Sequence, residues 1–94
     1  MRRAARRDAG EQDIIQAMRA CGAYVKAVNA EGTFDLLCHY NGRTLLLEIK
    51  DGTKPPSARR LTDAEQRFHD EWPGDNLHIV NSVQEALDLL KACS

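Results

Sequence analysis

The sequence has no apolar run near the roughly 20 residues that a membrane-spanning helix needs, so a bilayer-embedded protein is not expected. It has little cysteine, and what it has is poorly placed for cross-linking. Cys21, Cys38 and Cys93 are an odd number and include no C-x-x-C pair, which argues against a disulfide framework and against a zinc site. Free thiols in a reducing, cytoplasmic setting are the expectation, with Cys21 and Cys38 serving as small apolar side chains. His39, His69 and His78 are scattered, with no metal-type spacing. No secretory signal is expected, and the arginine-rich start meets its first acid at Asp8, too soon for a transit peptide. Repeats, low-complexity segments and a helix-turn-helix reader are all missing.

Net charge is also nearly absent, at −1, but it is unevenly distributed. Arg2, Arg3, Arg6 and Arg7 crowd the first seven positions, and Lys50, Lys54, Arg59 and Arg60 surround one proline-containing loop. Local basic clusters on a near-neutral chain suit a limited phosphate footprint, although an arginine-rich end also reads as a solvated tail. Ninety-four residues, 43% of them hydrophobic, make one small globular domain. A second copy would help to stabilise so small a core.

Ile14, Ile15, Met18 and Cys21 recur at helical spacing from about Glu11, and Gly22 is the natural stop. Residues 23–28 (AYVKAV) alternate as a strand, and 33–40 form a second. Asn41-Gly42 marks a two-residue hairpin, and 43–50 (RTLLLEIK) follow as a mostly apolar, central third strand. Residues 51–60 (DGTKPPSARR) read as a loop in which Gly52 and the paired prolines exclude a helix. Thr62-Asp63-Ala64-Glu65 has capping-box spacing and opens a helix running to about Trp72, ended by Pro73-Gly74. Residues 77–80 are a short strand, and Ser82-Val83-Gln84-Glu85 opens the last helix by a second capping box. The order αβββαβα implies an α/β sandwich with a mixed central sheet and helices on both faces.

Glu48 and Lys50, two apart on a strand, leave the same face, while Leu45, Leu47 and Ile49 leave the other. Charges on an otherwise apolar strand are expensive to desolvate unless paired or ion-bound. Asp35 lies as far before the Asn41-Gly42 turn as Glu48 lies after it, so the two carboxylates are expected side by side. Adjacent carboxylates repel unless a cation or a proton sits between them. Hard oxygen ligands beside a phosphate would select Mg²⁺ or Mn²⁺. The plainer alternative is a salt bridge from Glu48 to Lys50 or Arg43.

The stretch GTFDLLCHYNGRTLLLEIKDGTKPPSARRLTDAEQ resembles the core of the PD-(D/E)XK nucleases, particularly their compact VRR-NUC branch in phages and bacteria. In element order it is also similar to archaeal Holliday junction resolvases. The resemblance covers about residues 8–90 and departs at Phe34, where the family usually has proline. It implies a restriction-endonuclease-like fold, with 1–8 as a basic arm and 9–94 as the nuclease domain. It also implies Mg²⁺- or Mn²⁺-dependent hydrolysis of DNA phosphodiesters, with a preference for branched DNA such as a four-way junction, by a homodimer. Asp35 and Glu48 would be metal ligands together with the Ile49 carbonyl, and Lys50 would orient the attacking water and stabilise developing charge. A first-helix glutamate also faces the family's site and would be a further metal ligand. Glu11 is the matching position and Asp13 the competitor, projecting roughly 200° away around the helix. Gln66 matches a glutamine near the lysine, or is simply a solvated helix residue. Arg2, Arg3, Arg6, Arg7, Lys54, Arg59 and Arg60 would hold flanking phosphates.

Overall fold

A computed structural model describes residues 9–93. Its elements are α1 (Ala9–Ala20), β1 (Tyr24–Ala27), β2 (Leu36–Tyr40), β3 (Arg43–Ile49), α2 (Asp63–Glu71), β4 (Leu77–Val80) and α3 (Val83–Ala92), with a 3-10 turn at Pro56–Arg59. The expected order holds. The expected loop does not hold throughout, because proline is acceptable in the first turn of a helix, where its missing N–H is not needed. Pro56 therefore starts a short turn rather than preventing one. Among the described residues, no helix is long and apolar enough to cross a membrane.

The four strands form one mixed sheet in the order β1-β2-β3-β4, antiparallel except for the parallel β3/β4 pair. The β2–β3 hairpin turns through Asn41 (φ 53°) and Gly42 (φ 80°), the doubly left-handed geometry whose twist matches its flanking strands. Asn41 also donates from Nδ2 to the Cys93 carbonyl at 2.6 Å, which ties the hairpin to the end of α3. α1 ends as predicted. Ala23 N–H reaches Met18 O, Gly22 N–H reaches Arg19 O, and Gly22 takes φ 97°, a Schellman termination.

One face of the sheet is the hydrophobic core. Leu36, Cys38, Leu45, Leu47, Ile49 and Val80 pack against Ile14, Ile15 and Met18 of α1 and against Ala86 and Leu90 of α3. Cys93 joins this core, whereas Cys21 is exposed, so the apolar role expected of Cys21 falls to Cys93. The opposite face carries Leu46 and Glu48 and meets α2, whose Glu65 reaches Lys50. α2 is anchored by aromatic packing. Phe34 stacks on Phe68 with centroids 6.2 Å apart, and Phe68 lies 5.6 Å from Trp72. The departure at Phe34 thus supplies an aromatic anchor for α2.

Both later helices are capped, but differently. Thr62 and Glu65 form the complete reciprocal box at α2. At α3, Ser82 accepts from Glu85 N–H, but Glu85 reaches one residue further back and accepts from the N–H and Nδ2 of Asn81. The second expected box is therefore half formed, and its other half fixes the turn between β4 and α3. That turn presses on the loop leaving β3, where Gly52 N–H donates to Asn81 O at 3.0 Å. A Cβ on Gly52 would collide with that same carbonyl oxygen. Replacing Gly52 with alanine should therefore destabilise the protein by about 1–3 kcal/mol, the cost of a forced backbone shift. Urea unfolding would record this as a lower midpoint with an unchanged slope.

Candidate active site

The β2–β3 register ends at Leu36 opposite Leu47, and Asp35 and Glu48 are the next residues outward on the two segments. Asp35 itself lies just outside β2, so the strand is shorter than the expected 33–40. Its backbone explains why. Asp35 N–H donates to Leu47 O at 2.9 Å, and its own carbonyl accepts from both Val28 N–H and Asn29 N–H. Both amides converge on that one oxygen, and Asn29 beyond them takes a left-handed backbone (φ 49°) that turns the chain away. The ladder then continues through a side chain, with Ile49 N–H donating to Asp35 Oδ2 at 2.8 Å. Because N–H groups alternate along a strand and those of Leu46 and Lys50 face β4, the N–H and C=O of Ile49 both face the Asp35 flank.

Glu48 is 2% exposed on the central strand. Burial first, then the negative charges of Asp35 and Glu65 and a hydrogen bond shared with Glu65, push its carboxyl up to about 8. Lys50 only partly offsets this. The Lys50 ammonium lies 3.4 Å from Glu48 Oε2 and 3.1 Å from Glu65 Oε1. Burial opposes the lysine's charge, but the Glu65 hydrogen bond and the Glu48 charge prevail and raise it above an ordinary lysine. Burial likewise works against Glu65, yet the Thr62 amide and Lys50 hold its carboxyl below the usual range.

The structure thus brings Asp35, Glu48 and Lys50 to one end of the sheet and adds Glu65, which sequence reasoning passed over for its neighbour. Gln66 is exposed and donates to Asp70 at 2.9 Å along its own helix. The missed signal was the capping box itself, because a glutamate at its third position is turned back toward the helix start, where the loop after Lys50 arrives. Glu11 points inward, 4% exposed, and accepts from Asn29 Nδ2 at 3.3 Å, whereas Asp13 is exposed. Of the basic set, Lys54 and Arg60 are exposed and Arg59 is half-buried. Arg2, Arg3, Arg6 and Arg7 lie outside the described residues. His69, one turn beyond Glu65, keeps a buried Nε2 without a hydrogen-bond partner among the described residues, and burial lowers its pKa.

Asp35, Glu48 and the Ile49 carbonyl offer hard oxygens on one flank, which suits Mg²⁺ or Mn²⁺. Among the described residues, no group of three or more His, Cys, Asp or Glu side chains is arranged as a metal site. Two carboxylates still fit an ion such as Mg²⁺, which keeps several of its waters and is often held by one or two carboxylates. Burial and the neighbouring carboxylates raise the Glu48 carboxyl to about 8, and a bound cation would oppose that shift.

Glu48 has a consequence for stability. Its folded value of about 8 exceeds the ordinary 4.5, so the folded protein keeps a proton that the unfolded chain releases. That contribution is complete below 4.5 and is lost as pH rises through 8. His69 acts in the opposite sense, but only below its ordinary 6.5. Without divalent cations, the melting midpoint should therefore fall between about pH 7 and 8. Glu48→Gln should flatten that slope in a pH series of thermal melts.

Compared with models of protein families, with curated proteins and with solved structures, the chain matches none.

Proposed function

We propose that this protein is a metal-dependent endonuclease that hydrolyses DNA phosphodiesters, with a restriction-endonuclease-like α/β sandwich as its scaffold. The observation that carries the reading is the convergence of a crowded carboxylate pair, Asp35 and Glu48, with the Lys50 ammonium at one sheet end. A carboxyl pushed up to about 8 by burial and then by its acidic neighbours is an unfavourable way to build a core, and perturbed groups of this kind concentrate at functional sites.

Asp35, Glu48 and the Ile49 carbonyl are the residues that would hold Mg²⁺ or Mn²⁺, with Glu11 behind them through Asn29. When bound, the ion supplies charge neutralisation at the scissile phosphate and lowers the pKa of a water. The chain's own groups do the remainder. Lys50 places a fixed positive charge where negative charge builds on the phosphate oxygens. Glu65 holds that ammonium until substrate arrives, and its retained negative charge keeps Lys50 protonated. Lys54, Arg59 and Arg60, with the basic arm, hold flanking phosphates in a salt-sensitive, largely sequence-independent way.

With no helix-turn-helix among the described residues to read bases, selectivity is assigned to DNA shape, with branched or four-way junction DNA as substrate and a homodimer positioning paired nicks. The double pairing of Lys50 to Glu48 and Glu65 favours one alternative, an accessory DNA-binding module that has the nuclease fold but no turnover. A cleavage assay separates the two. The purified protein should nick a synthetic junction in Mg²⁺ faster than a plain duplex, and chelation should stop it. Glu48→Ala and Lys50→Ala should each reduce the rate by about 10²–10³-fold. Cleavage that both variants retain in full would discard the enzymatic reading.

A further inference from the structure

A cleft of about 490 Å³ opens beside Lys50, between the first turn of α1, the loop leaving β3 and the turn joining β4 to α3. We infer that it is a nucleoside subsite, taking one unpaired nucleoside of the strand whose phosphate lies at Lys50. The placement of that phosphate rests on the nuclease reading above.

The size suits a small organic ligand, within the range of roughly 300–1,000 Å³ typical of such sites. The lining is largely carbon, with Ile14 and Val83 on facing elements, which suits the faces of a planar heterocycle. Two cations, Lys50 and Arg59, line the same space. The Arg59 guanidinium presents several donors in a planar fork, which suits a phosphate oxygen. Asn81 also lines the cleft, and its side-chain amide nitrogen donates to Glu85 at 3.2 Å.

Charge decides between a base and a phosphate as the main occupant. Asp13, Asp51 and Glu85 also border the cleft. Asp51 is engaged by Thr53 and Glu85 by Asn81. Three carboxylates disfavour a polyanion filling this space, whereas a neutral base with N–H donors is compatible with them. The phosphate belongs at the Lys50 and Arg59 side and the base inside. A base stacked and paired in a duplex cannot enter, so the substrate must present an unpaired or extruded nucleotide beside the scissile phosphate. This gives a physical source of structure selectivity that needs no base-reading helix.

Metal-free protein titrated with a deoxynucleoside 5′-monophosphate, and separately with inorganic phosphate, tests this by amide NMR. The nucleotide should shift the Thr53, Asn81 and Val83 amides saturably, phosphate alone should not, and Val83→Trp should abolish the response. If Val83→Trp fails to fold, Arg59→Met on the exposed 3-10 turn should weaken the response instead. Equal shifts with phosphate, no shifts, or an undiminished response in the folded variant would overturn the subsite. A second arm compares branched DNA with and without a base at the unpaired position. Loss of the base should weaken wild-type binding about tenfold, comparable to losing one stacked base. It should leave binding to Val83→Trp unchanged, and equal wild-type binding of both DNAs would overturn the subsite. Nucleotide shifts at these amides without any DNA cleavage would support the subsite while removing the nuclease reading.

Discussion

Placing a carboxyl on the central strand of so small a sheet is the constraint around which the rest is arranged. Glu48 is 2% exposed and flanked on its own strand by Leu47 and Ile49, which face the core. A carboxylate there needs a partner for each ionisation state. The structure provides partners of both signs, with Lys50 stabilising the charged form and Asp35 and Glu65 favouring the protonated one. Removing Asp35 or Glu65 would weaken the protonated form of Glu48, and removing Lys50 would strengthen it.

These partners come from different parts of the chain, which makes the end of the sheet a junction. From α1, Glu11 reaches Asn29. Asn29 bonds the backbone of Asp35, Asp35 accepts from the Ile49 amide, and Lys50 continues to Glu65 of α2. Glu65 Oε1 has two roles, accepting from the Thr62 amide at 2.9 Å as well as from Lys50 at 3.1 Å. The oxygen that completes the cap of α2 also holds the candidate catalytic ammonium. The loop between them is therefore tied to the site at both ends.

Much of this was legible in the residues. The equal spacing of Asp35 and Glu48 from Asn41-Gly42 predicted their proximity because a two-residue hairpin leaves only one register. Thr62 and Glu65 predicted the start of α2, and Gly22 the end of α1. What escaped depends on side chains that serve the backbone of another segment. Asp35 ends β2 by substituting its carboxylate for a strand carbonyl, and Glu85 leaves its own cap to hold Asn81. Period and propensity carry no signal of such substitutions. Glu65 was read only as a cap because local spacing explained it fully, and its second partner comes from 15 residues away. The 3-10 turn at Pro56 was lost by treating proline as a breaker in every position.

The most direct test of the central claim is anomalous diffraction from crystals equilibrated with Mn²⁺. A peak is expected between the Asp35 and Glu48 carboxylates, within reach of the Ile49 carbonyl, with Lys50 displaced from Glu48. No peak there, with Lys50 still bridging Glu48 and Glu65, would contradict that claim.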